Sequence, residues 1–106
     1  MTVFTREVDQ YILVGEDIRV SPTDIDAQGA RLVARGRMLG GPEDGATFDV
    51  AHEMTVGQSW HLGPNVVVTL IEVRGETARI GVLAPSHIAV QTKEQLDHQR
   101  GGGSGK

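Results

Sequence analysis

The feature that most constrains this chain is its similarity to itself. Displaced by 48 residues, the sequence pairs Val8 with Val56, Gln10 with Gln58, Gly15 with Gly63, Val20 with Val68, Ala30 with Ala78 and Arg31 with Arg79. Conservative pairs lie between them: Ile18/Val66, Ser21/Thr69, Asp24/Glu72, Ile25/Val73 and Leu32/Ile80. No gap is needed from Val8 to Leu32, and the matches fall on strand and turn positions in one register. In a chain of 106 residues that period leaves room for two copies of one small unit. We read a tandem duplication.

The unit is made of strands. Short β-branched runs end at turn residues: Thr2 to Arg6, Tyr11 to Val14, Ile18 to Ser21, Ala30 to Ala34, Thr47 to Met54, Val66 to Val73, Thr77 to Leu83 and His87 to Thr92. Pro22 lacks a ladder donor and predicts a bend or an edge. Arg74-Gly75 predicts a hairpin turn, and the stretch from Gly36 to Gly45 has loop composition. Only the end reads as helix, over Lys93 to Arg100 with Thr92 as N-cap. Gly101 stops it, and residues 101–106 are expected to be a disordered tail. The fold class is therefore all-β with one short C-terminal helix.

Composition narrows the function. Fourteen Asp and Glu against ten Lys and Arg give a net charge of −4, so no long-range basic field draws nucleic acid in. Any RNA contact has to come from a local group of cations. Cysteine is absent, which removes thiolate nucleophiles, disulfides and Cys-based zinc sites. His52-Glu53 lacks the second histidine of a zinc-protease helix, and His61, His87 and His98 have no ligand-like spacing. No Ser-His-Asp context or paired carboxylates suggest catalysis, so no enzyme, metal or cofactor is expected. The N-terminus lacks a signal-peptide layout, and no apolar run reaches the roughly 18 residues of a membrane helix. The expectation is a cytoplasmic protein without a membrane partner.

The second copy carries a family resemblance. Val56-Gly57-Gln58, Leu62-Gly63, Val66-Val67-Val68-Thr69, Val73-Arg74-Gly75 and above all RIGVLAPSHIAV (residues 79–90) resemble the carbon storage regulator family, CsrA/RsmA. Thr5-Arg6 and Val8 resemble that family's opening strand, and the first copy follows more weakly through Gly15, Val20 and Arg31. The resemblance implies a homodimer-like architecture in which outer strands of each short chain pair into the partner's sheet. Here it implies intertwined sheets, a barrel or sandwich, formed as a single-chain pseudo-dimer over residues 1–100. Copy one would span about 1–54 and copy two about 46–100. Both need the segment around Thr47–Met54, as the last strand of one and the first of the other. One strand cannot fill two ladder positions, so at most one family-like site is expected.

That site would combine the strand Thr2–Val8 with the strand His87–Lys93. By resemblance the RNA contacts fall on Phe4, Thr5, Arg6, Ala89, Val90, Thr92 and Lys93, reading GGA in hairpin loops of mRNA or small regulatory RNA. Arg6 matches the family's RNA-contacting arginine, whose guanidinium suits phosphate or guanine. Phe4 could stack on a base or fill the core. Departures from the family pattern are Glu7 for a basic residue, Thr92 for an arginine, and His52 and Met54 for the first-strand Leu and Arg in the degenerate site. Arg31 and Arg79 are expected to pair charges between the halves. Arg35, Arg37 and Met38 are read as a solvated insertion, and Trp60 as core. The implied function is a post-transcriptional, translational regulator. The alternative is a protein-interaction module of the same fold that has lost RNA binding, using acidic loops such as Glu16-Asp17 and Glu43-Asp44. Either protein would be a monomer, with further dimerisation through strand edges left open.

Overall fold

A computed structural model describes residues 1–37, 45–63, 65–92 and 94–95. Nine strands follow one another: β1 (Thr2–Glu7), β2 (Ile12–Val14), β3 (Ile18–Ile25), β4 (Gly29–Arg37), β5 (Thr47–Thr55), β6 (Ser59–His61), β7 (Val67–Arg74), β8 (Thr77–Leu83) and β9 (Val90–Thr92). They form two antiparallel sheets, one ordered β1-β8-β7-β6 and the other β5-β4-β3-β2-β9. The chain changes sheet three times, and the strands at its two ends are docked on strands distant in sequence. β1 lies on β8, and β9 lies on β2.

Alternation along the strands decides what lies between the sheets. Ile18, Val20 and Pro22 of β3, Ala30, Leu32 and Ala34 of β4, Val68 and Leu70 of β7, and Ala78, Ile80 and Val82 of β8 are buried at every second position. Phe4, Ile12, Val14, Met54, Leu62 and Val66 complete one core between the sheets. Each Val, Leu, Ile, Phe or Met side chain among them, taken fully out of water, contributes about 1.5–3 kcal/mol, and each alanine less. β5 buries only Met54 and is otherwise a rim strand, with Phe48 packed partly against the core.

The 48-residue displacement reappears in the hydrogen-bonded register. Ile12 opposes Val20 as Trp60 opposes Val68. Val20 opposes Ala34 as Val68 opposes Val82, and Ile25 opposes Ala30 as Val73 opposes Ala78. The register shift between Pro22 and Asp24 recurs between Leu70 and Glu72. Phe4 opposes Ile80 as His52 opposes Leu32. Even the turn repeats. Gln10 Oε1 accepts from the Glu7 N–H and Gln58 Oε1 from the Thr55 N–H, both at 3.0 Å. The residue before each glutamine has positive φ, Asp9 at 68° and Gly57 at 95°.

Several segments differ from the sequence reading. β5 pairs along its whole length with β4 in the register in which β1 pairs with β8, and among the described residues it pairs with no other strand. β6 was not expected: three residues among Gly and polar neighbours carry too little alternation to stand out, although Tyr11–Val14 displaced by 48 residues points to it. β3 runs on through Pro22. The Asp9 N–H donates to the Pro22 carbonyl at 2.8 Å, so this residue's backbone faces the 7–10 turn and the missing donor costs β4 nothing. β9 starts only at Val90, because a turn closed by Ile88 N–H on the Pro85 carbonyl occupies the preceding residues. Of the expected helix, Glu94 and Gln95 are helical, while Lys93, residues 96–100 and the tail lie outside the described residues. Among the described residues no helix is long and apolar enough to cross a membrane.

The tightest backbone approach is at Gly29, where any Cβ would run into the Met54 carbonyl oxygen. A Gly29→Ala substitution is expected to force β4 and β5 apart and to lower stability by about 1–3 kcal/mol, read as a reduced urea midpoint at unchanged m-value.

Candidate nucleic-acid interface

The edge strands of the two sheets meet at two seams. At the first, β1 borders β9, and Arg6 joins them. Its Nη1 and Nη2 donate to Oε1 and Oε2 of Glu94 at 3.0 and 3.4 Å, Nη1 also donates to the Tyr11 carbonyl at 3.3 Å, and Nε to the Thr5 carbonyl at 2.9 Å. The paired fork satisfies the guanidinium on nearly every side, and its side chain is only 11% exposed. The hydrogen bond from Arg6, and next the Glu94 backbone, holds this carboxyl below the ordinary glutamate range.

That direction fixes a pH dependence. A depressed carboxyl favours the folded state above the ordinary glutamate range and loses that contribution as pH falls through the folded value. Stability measured between pH 7 and pH 3 is therefore expected to fall less in Glu94→Gln than in the parent chain. The partner strand ends in a reciprocal cap: Thr92 Oγ1 accepts from the Gln95 N–H at 3.1 Å, and Gln95 Oε1 accepts from the Thr92 N–H at 2.8 Å. Thr92→Ala is expected to cost about 1 kcal/mol in chemical denaturation.

The expected contact residues divide by burial. Phe4, at 8% exposure, packs in the core, so of the two roles open to its ring the structure takes the core one. Thr92 is buried by its cap at 7%. Thr5 and Ala89 are exposed, Val90 is half-buried against the core, and the Ala89 carbonyl accepts from the Gly15 N–H at 2.7 Å. Lys93 lies outside the described residues. Two members of the seam had no signal in the sequence. Tyr11 enters through its backbone carbonyl, and Glu94 is 88 residues from the arginine it holds.

Other cations are engaged locally. Arg35 pairs with Asp49 at 3.2 Å, Arg37 with Asp17 at 3.9 Å, and Arg19 lies over the Tyr11 ring at 5.1 Å. Arg79 bonds Glu72 at 3.5 Å on the neighbouring strand, within one hairpin and not between the halves as expected. Met38, Glu43 and Asp44 lie outside the described residues. Among the described residues no three His, Cys, Asp or Glu side chains gather as a metal site would require.

The second seam, where β5 borders β6, has the same register and different chemistry. His52 takes the place of Phe4, Met54 of Arg6, Trp60 of Ile12 and His61 of Leu13. Met54 turns into the core at 2% exposure. His52 stacks on Trp60, ring centroids 5.3 Å apart and 26° from parallel. Trp60 is half-buried, packed against the core on one side and stacked on the other. Among the described residues no strand pairs with the outer edge of β6, where β2 carries β9.

Two antiparallel sheets whose end strands dock on strands distant in sequence define an all-β protein whose candidate surface lies at a seam between edge strands. Residues 54–100 match CsrA, the global regulator protein family. The translational regulator CsrA of a Nocardioides species is 48% identical over 40 residues, which cover 38% of this chain and 48% of that protein. The aligned stretch thus spans about half the length of that curated relative. No solved structure matches the chain.

Proposed function

We propose that this chain is an RNA-binding translational regulator built from two CsrA-like copies fused in tandem, with one surviving site at the β1/β9 seam. The observation that carries the reading is Arg6, the residue matching the family's RNA-contacting arginine, standing where the first strand of one half meets the last strand of the other. The recurrence of strand register, bulge and turn at a displacement of 48 residues supports the tandem fusion and a single interlocked unit over residues 1–100. The family match over residues 54–100 supports RNA as the partner. Arg6 supplies the charged contact, Thr5 and Ala89 the exposed strand surface, and Lys93 a second cation. A GGA-bearing hairpin bound here would block ribosome access to its message in the cytoplasm, with no catalysis and no cofactor.

In this reading Glu94 competes with RNA. Its carboxylate occupies the guanidinium fork in the way a phosphate or a guanine edge would, so binding has to replace one set of charge-assisted hydrogen bonds with another. Binding to a fluorescent hairpin with GGA in its loop, against a scrambled loop, tests the proposal. The expected result is selective binding at micromolar Kd or tighter, at least tenfold weaker in Arg6→Ala and several-fold tighter in Glu94→Gln. The salt slope should be shallow because few phosphates are neutralised. Equal and negligible binding to both hairpins would sink the RNA reading. The protein-interaction module would then stand, which the latched Arg6, the buried Phe4 and Thr92 and the exposed Glu7 already favour.

A further inference from the structure

The twin seams differ by one strand, and that difference defines a binding edge. At the first seam, β9 lies antiparallel on β2, with Thr92 opposite Ile12, Gln91 opposite Leu13 and Val90 opposite Val14, and the Gly15 N–H closing on the Ala89 carbonyl. The counterparts on β6 are Trp60, His61, Leu62 and Gly63. Leu62 N–H donates to Val66 and the Gln58 carbonyl accepts from Leu70, so the even-numbered backbone groups of this segment serve β7. Alternation then turns the N–H and C=O of His61 and the N–H of Gly63 away from β7, as those of Leu13 and Gly15 turn toward β9.

We propose that the outer edge of β6 is a docking site for an extended peptide segment of a partner protein, added as an antiparallel fifth strand. Three observations specify the occupant. The register of β9 on β2 sets its direction and its backbone pairing. The inward positions there are Val90 and Thr92, so the occupant carries small β-branched residues at alternate positions, the inner ones meeting the His52–Trp60 stack. The replacements Phe4 to His52 and Leu13 to His61 put polar rings at positions that lose their cover when the strand is absent. The edge is thereby soluble when empty, which suits a reversible partner better than a permanent one.

The strand is not available from within the same half. An occupant in the register of β9 would end beside Met54, as Glu94 ends beside Arg6. Met54 is about 23 Å along β5 from Thr47 at strand spacing, so the β4–β5 connection is tethered at the wrong end to supply it. Nor does β9 serve both edges, since it is already paired with β2.

The experiment uses the full chain and a fluorescent peptide of the sequence SHIAVQT, residues 86–92, as the strand that fits the equivalent edge. Anisotropy is expected to show saturable binding at micromolar to sub-millimolar Kd, with amide exchange slowed at His61 and Gly63. His61→Pro removes a donor that faces the open edge and none that serves β7, so it should weaken binding at least tenfold while circular dichroism stays unchanged. Trp60→Phe, which keeps a ring in the core, should weaken it less. Absence of saturable binding to millimolar peptide would overturn the proposal. So would affinity unaffected by His61→Pro, saturable binding with no new protection at His61 and Gly63 (exchange for β9), or a sedimenting dimer whose second copy already protects His61 and Gly63.

Discussion

Everything in this fold depends on strands from distant parts of one chain sharing a sheet. Three consecutive strands, β2–β4 or β6–β8, make a small meander with one apolar face and two open edges. Alone, such a unit leaves its apolar face in water. Each meander gains an outer strand, β5 on β4 and β1 on β8, and the two apolar faces then close on each other. Because these strands lie on one chain, their pairing is intramolecular and independent of protein concentration. Leu32 and Leu70, fully buried on facing sheets, have no core without the opposite half.

The repeat and the strand alternation were legible because they are properties of residue order. Period-two burial of Ile18/Val20 or Ile80/Val82 needs only the pleat, and the turn at Gly75 needs only a residue tolerant of positive φ, here 60°. β6 was missed because a three-residue strand is held by its neighbour β7 and not by its own pattern. The fate of the middle segment was harder to read. Thr47–Thr55 can be aligned with either a last or a first strand, and only the ladder to β4 decides between them. The candidate site was half legible. Arg6 is visible through resemblance, whereas its carboxylate partner follows from cross-sheet packing that no local pattern encodes.

The two seams keep one backbone plan and diverge in side chains. At the first, an ion pair and a capped strand end close the edge, and the aromatic ring of Phe4 is sealed beneath. At the second, the ion-pairing position holds a buried methionine, and the aromatic position holds an exposed histidine stacked on tryptophan. Backbone hydrogen bonds at Gln10 and Gln58 are indifferent to this change, which is why the register survives where the surface chemistry does not. Charge follows the same division. Of the arginines of the five-stranded sheet, Arg37, Arg35 and Arg19 are met by Asp17, Asp49 and the Tyr11 ring, so their charge is largely answered at contact range.

The docking of β1 on β8 also sets an order of events during synthesis. Thr2 pairs with Val82 and Phe4 with Ile80, so once β1 has left the ribosome it has no partner until about eighty more residues have been made. At 5–20 residues per second that is a wait of roughly 4–16 s, far longer than a hairpin needs to form. During it β3 and β4 can pair, while β1, with Val3 and Phe4, remains an unattached apolar edge. The strand that carries Arg6 is thus made well before the strand it docks on, and a fold this dependent on distant pairing is slow by construction of its own topology.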